Sequence, residues 1–165
     1  MMLALPPAVA LWFLPFVLPI AAWVAWSDLA RMRIPNSAVL SLLAVFLLVG
    51  PLALPLEDWS WRWAHFGGVL AAGFVLNAAG ALGAGDAKFA AAMAPFVALG
   101  DLAAFAMLFA VMLLAGFVAH RLVRATPRLR VLARDWESWS RDDFPMGLPL
   151  AGTLATYLLV AAFSG

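Results

Sequence analysis

The charged residues divide the chain into long uncharged stretches. Asp, Glu, Lys and Arg are missing from Met1 to Ser27, Ile34 to Leu56, Trp63 to Gly85, Phe89 to Gly100, Leu102 to His120 and Phe144 to Gly165. A helix needs about 20 apolar residues to cross a hydrocarbon core of about 30 Å. The first stretch is long enough, with kinks expected at Pro15 and Pro19. It has no basic n-region and does not read as a cleavable signal peptide. Read as one helix, 89–120 would be about 47 Å long, which is too long for one crossing. Gly100-Asp101 reads as a turn in its middle, so two spans are predicted, the first recruiting Gly85–Lys88. The pattern therefore predicts an all-α integral membrane protein, a bundle of about six transmembrane helices.

Composition agrees. The 165 residues are 66% hydrophobic and 12% charged, with a mean hydropathy of +0.99. Soluble domains run at roughly 45–50% apolar and about 25% charged. Disorder requires the opposite bias. The length leaves no room for a large extramembrane domain, and residues 1–165 read as a single transmembrane domain. A net charge of +1 gives no basic field for nucleic acid. There are no cysteines, which removes disulfides, thiol nucleophiles and zinc–thiolate sites. His65 and His120 are far apart with no carboxylate four residues on, so no metal site is expected.

The placement of charge sets an orientation. With six spans, alternate loops put Arg31, Arg33, Lys88, Arg121, Arg124, Arg128, Arg130, Arg134 and Arg141 on one side, and Arg62 alone on the other. This predicts cytoplasmic Arg-rich loops and both termini outside. Residues 57–66, rich in Trp, read as an aromatic belt at the outer interface. Residues 121–143, where Arg alternates with Trp and acidic residues, read as an amphipathic segment on the inner headgroups.

Ionisable residues at the edges of spans are costly and point to function. Asp28, Asp86, Lys88 and Asp101 are the candidates. The predicted topology puts Asp28 and Asp86 at the same ends of helices one and three, where packing of those helices would let them meet. Asp101 falls on the opposite face. Taken singly, Asp28 could pair with Arg31 or Arg33, and Asp86 could cap a helix or pair with Lys88. Taken together, two close carboxyls share a proton and titrate as a unit. The ionised member can take a proton from water while the other protonates a carbonyl, which is amide hydrolysis without a metal or covalent nucleophile. Gly83 and Gly85 flank the second Asp and would allow an unusual turn and close backbone approach. Gly67, Gly68, Gly73 and Gly80 are expected to permit tight helix packing.

These residues resemble a known family. Gly83-Ala84-Gly85-Asp86-Ala87-Lys88 is similar to the GxGD-x-K motif of the type IV prepilin peptidases, which are membrane aspartyl proteases. Asp28 followed by Ile34-Pro35-Asn36 resembles the family's D-x5-IPN motif, and Phe144 to Ala151 resembles its P-[YM]-G-x-x-x-A signature. The resemblance spans nearly the whole chain. It implies a GxGD-type fold with Asp28 and Asp86 as the catalytic pair, water as nucleophile and no cofactor. It implies a prepilin-like substrate whose leader peptide is cut at the cytoplasmic edge of the bacterial inner membrane, in pilus biogenesis and protein secretion. Pro35 and Asn36 would stop the first loop and cap helix two, and Pro145 and Gly147 would shape the entry to the last helix. Lys88 would set helix depth by snorkelling. Asp135, Glu137, Asp142 and Asp143 could attract basic leaders. The absence of a cysteine zinc motif matches the small, peptidase-only branch of tight-adherence (Flp) pilus systems, so no methyltransferase domain is expected. Two alternatives stay open at this level. One is a presenilin-like intramembrane protease. The other is an ion-coupled transporter or assembly subunit, for which no internal repeat is evident.

Overall fold

A computed structural model describes residues 3–163. Among these residues the structure is helical throughout, with no strand. The α-helices are α1 (Pro7–Arg31), α2 (Asn36–Ala53), α3 (Leu56–Ala78), α4 (Ala84–Met93), α5 (Leu102–Ala125), α6 (Pro127–Arg130) and α7 (Gly147–Phe163). Three helical segments are long and apolar enough to cross a membrane: Pro7–Arg31, Asn36–Ala53 and Leu99–Ala125. Their outward faces carry bare apolar side chains such as Leu40, Leu48, Met107 and Leu114, which suits lipid rather than water.

α1 is the central helix, packed chiefly against α7 and also against α2; α3 packs on α4, and α5 on α7. The core of one half is an aromatic knot. Phe13 of α1 lies 4.9 Å from Phe96 and 5.9 Å from Phe46 of α2, and Phe46 meets Phe96 at 5.3 Å and Trp63 of α3 at 5.3 Å. Offset and edge-on pairs of this kind add to simple burial. Between α3 and α4 contact is made by small residues. A Cβ on Gly73 would lie 2.9 Å from Ala87 Cβ, so the backbones are as close as glycine allows.

Several boundaries differ from those the charges predict. α3 begins at Leu56 and takes in Glu57, Asp58 and Arg62, ending at Ala78 rather than Gly85. Charge does not start or stop a helix; backbone conformation does. Gly80, at φ +73°, ends α3 with paired bonds from Gly80 N to Asn77 O and from Ala81 N to Leu76 O. Asp86 therefore lies in α4, and it lines one cavity with Asp28 without the packing of helices one and three expected above. α4 has only ten residues, about 15 Å, half a hydrocarbon core. The chain continues through 3-10 turns at Ala94–Phe96 and Leu99–Asp101, and the second is the turn expected at Gly100-Asp101.

Irregular backbone buried inside the protein must find partners there. Buried Arg62 donates to Pro95 O at 3.1 Å. Ala98 N donates to Tyr157 Oη at 3.2 Å, and the Tyr157 hydroxyl donates to Asp101 Oδ2 at 2.7 Å. Asp101, 3% exposed, also accepts from Ala4 N at 2.6 Å and Leu5 N at 3.0 Å. It thus ties the start of α1 to α7. Asp28 lies some 35 Å further along α1, so the two carboxylates belong to opposite ends of the bundle. The aromatic belt is only partly a belt. Trp61 is exposed, but Trp59 donates Nε1–H to Phe46 O at 3.1 Å and Trp63 joins the aromatic knot.

Candidate active site

At the end of the bundle remote from Asp101, α1 runs three residues past Asp28 and stops at Met32. Met32 adopts the left-handed conformation, φ 49° and ψ 44°, and its N–H bonds back to Asp28 O at 2.8 Å. Among the described non-glycine residues it alone has positive φ, a conformation that functional sites often hold against its cost. The Ser27 hydroxyl then donates to Arg33 O at 2.9 Å and folds the loop back along the helix. Ile34 is thereby brought under Gly85, where an added Cβ would stand 3.5 Å from Ile34 Cβ. Pro35 provides the extended residue preceding α2, and Asn36 is the first helical residue. Asn36 makes no side-chain cap, so the capping expected of it is corrected: Pro35 alone shapes this start.

The second carboxyl arrives by a separate turn. After Gly80, the Asn77 side-chain amide donates to Leu82 O at 2.7 Å and fixes the approach to Gly83. Gly83 has ordinary extended angles, φ −65° and ψ 142°, so no unusual backbone conformation is needed there. Its role is space. A Cβ on Gly83 would lie 2.5 Å from Asp86 Oδ2. Asp86 sits in the first turn of α4, where the helix N-terminus favours negative charge.

Asp28, 5% exposed, is seated in a matching way. Its Oδ2 accepts the backbone N–H of Gly147, the first residue of α7, at 2.6 Å. A Cβ on Gly147 would stand 2.9 Å from Asp28 Oδ2 and 3.0 Å from its Cβ and Cγ. Each aspartate thus leans on a glycine at a helix start.

Asp28 and Asp86 line one cavity of about 710 Å³ together with Arg33, Pro35, Asn36, Gly83, Gly85 and Lys88. Lys88 is exposed at its wall. Among the described residues neither aspartate has an ion-pair partner; the pair found is Arg124 with Asp142 at 3.6 Å. Arg31 instead covers the Trp26 ring at 5.1 Å. Asp86, outside the three apolar spans, is raised above the ordinary carboxylate range by burial. Pro145 is buried just before Gly147. Asp135, Glu137, Asp142 and Asp143 are all exposed, and none lines this cavity.

A family model of type IV leader peptidases matches residues 8–120, more than half of the chain. The chain belongs to the type IV leader peptidase family. No curated protein matches the chain, and no solved structure does. This leader peptidase family member is therefore a leader-peptidase-like membrane protease. The matched stretch contains both cavity aspartates, Ile34–Asn36 and Gly83–Lys88. Gly147 lies beyond it, yet holds the closest polar contact to either carboxyl.

Sequence reasoning missed two supporting groups, the Ser27 hydroxyl and the left-handed Met32; it singled out Gly147 as shaping the entry to the last helix, but not the bond from its N–H to Asp28. Residue type alone signals neither Ser27 nor Met32 in these roles.

Proposed function

We propose that this chain is an aspartyl endopeptidase that removes the leader peptide from prepilin-like precursors, with Asp28 and Asp86 as its catalytic pair. The observation that carries this reading is the shared cavity, in which both carboxyls are seated against glycines and, among the described residues, free of salt bridges. One carboxyl, ionised, takes a proton from water as the water oxygen attacks the scissile carbonyl carbon. The other, protonated, gives its proton to the carbonyl oxygen. Collapse of the tetrahedral species expels the amine, which leaves with a proton from the pair. No cofactor enters this sequence.

The proposed setting is the bacterial inner membrane, with the cavity at the cytoplasmic edge and both termini outside. Arg33 and Lys88 line the cavity, and the Arg-rich connector 126–146 returns to Asp28 through Gly147, which supports that orientation. In the six-helix GxGD-type arrangement proposed, α4 enters the bilayer from the cavity side. The exposed Asp135, Glu137, Asp142 and Asp143 would attract a basic leader from a distance rather than bind it in the cavity.

The test is cleavage of a pilin precursor by purified protein in detergent, with Asp28→Asn and Asp86→Asn alongside wild type. Loss of one acid–base group is expected to slow cleavage by about 10²–10⁴-fold, with both variants still membrane-inserted. Full activity in either variant would remove the pair from the mechanism. A cut within the substrate's apolar segment would replace leader removal with intramembrane proteolysis.

A further inference from the structure

The connector between α5 and α7 is held by a second aromatic cluster, at the cavity end. His120, in the last turns of α5 and 5% exposed, stacks on Trp139 at 5.0 Å and 20°. Its ring meets Phe144 edge-on at 5.8 Å. Phe144 also packs on Phe117 of α5 at 5.6 Å, and Trp136 extends the stack from Trp139 at 5.7 Å. The short turn Glu137–Trp139 packs on α1, with Ser138 wholly buried between them. The imidazole Nε2 is buried with no hydrogen-bond partner among the described residues. Nε2 thus makes no polar bond, and the ring's contacts are the stack on Trp139 and the edge of Phe144.

Two residues, Pro145 and Met146, lie between Phe144 and Gly147, whose N–H meets Asp28. The end of α7 that carries this N–H is the end of a long connector with few other fixed points. We infer that His120, Trp139 and Phe144 form an aromatic clasp that positions the Gly147 N–H on Asp28. His120 and Phe144 are positioning residues in this account; neither touches the cavity. The inference rests on the proposed catalytic role of Asp28 for its effect on rate, but its structural half stands alone.

The experiment combines hydrogen–deuterium exchange of segment 144–151 with cleavage kinetics for His120→Ala, His120→Phe and Phe144→Leu. In His120→Ala, exchange at 144–151 is expected to quicken while α1 and α2 keep wild-type protection. Its kcat is expected to fall about 10- to 100-fold, the scale of a misplaced group, with KM within about twofold. His120→Phe keeps the stack without the nitrogens and is expected to restore both readouts. Wild-type exchange in His120→Ala would overturn the clasp, and so would a His120→Phe variant no better than alanine. Should His120→Ala not accumulate folded, Phe144→Leu decides: faster exchange supports the clasp, and unchanged exchange overturns it. Exchange needs no substrate. If Asp28→Asn cleaved normally, the proposed function would fail while the clasp was still judged on exchange.

Discussion

The backbone N–H of Gly147 reaches the Asp28 carboxyl at 2.6 Å across a sequence separation of 119. It joins the start of the last helix to the end of the first, at the wall of the cavity that Asp86 also lines. Gly83 stands to Asp86 much as Gly147 stands to Asp28, so the two glycines invite the same test.

Gly147→Ala puts a Cβ at 2.9–3.0 Å from three atoms of Asp28, including its Cβ, and α7 must shift. Activity is expected to drop by roughly 10²-fold while the protein stays folded. Gly83→Ala meets only the mobile end of Asp86, Oδ2 at 2.5 Å and Cγ at 3.5 Å, so the carboxyl swings away. Cleavage should fall with little change in melting temperature. Gly67→Ala and Gly68→Ala are the controls, because nothing lies within 4 Å of either. Each should keep full activity and gain up to about 1 kcal/mol of helix stability. The tight-packing role expected of these two glycines is not realised within this chain; Gly73 alone of the set fulfils it.

Asp86 also predicts a dependence of stability on pH. Burial raises its folded-state pKa, so the folded protein holds this proton more tightly than the unfolded chain does. Stability from this group is full below the unfolded value and is lost as pH rises through the raised one. Asp86→Asn removes the cost of ionisation. The variant should melt higher than wild type at neutral pH, and the difference should shrink as pH is lowered towards 4. A melting series in detergent across that window checks it, and a variant that is less stable at neutral pH contradicts it.

At the other end, Asp101 serves three donors and Tyr157 links it to Ala98 N. Tyr157→Phe leaves that amide unpaired and removes one donor from a buried carboxylate. The expected cost is about 1–3 kcal/mol. Because the change is remote from Asp28, kcat at a permissive temperature should be unchanged. Asp101→Ala strands Ala4 N, Leu5 N and the Tyr157 hydroxyl together and should cost more.

The four exposed acids of the connector give a kinetic prediction. Replacing Asp135, Glu137, Asp142 and Asp143 by Asn or Gln should raise KM for a basic leader several-fold at low ionic strength. Beyond physiological salt, where the screening length falls below about 8 Å, the difference should close. KM unchanged at low salt would detach these residues from the substrate.

Much of this site can be read in the sequence because its chemistry is concentrated in few residues. In a chain 12% charged, an aspartate at a span edge stands out, and Asp28 and Asp86 do line one cavity. The helical fold is legible for the same reason, from apolar runs. What is not legible is set by backbone geometry. The end of α3 depends on Gly80 turning left-handed, and that placed Asp86 on its own short helix rather than on α3. The burial of Arg62 depends on a broken helix opposite it, whose freed carbonyl at Pro95 no local pattern announces. Asp101 reads correctly as remote from the pair, but its three partners come from residues 4, 5 and 157, far apart in sequence.

Arg62 carries one more implication. It is the one basic side chain assigned to the Asp101 end, and it is turned inward onto a carbonyl. Among the described residues, that rim therefore offers no free cationic side chain to the surrounding water, while the opposite rim displays nearly all of them. The molecule is electrically polar along its long axis to a greater degree than a count of nine against one conveys. A membrane potential acting on the chain as it inserts would meet exposed positive charge at a single pole, with the exposed Glu57 and Asp58 at the other, and Arg62→Gln should loosen the Pro95 turn without reversing the protein in the bilayer.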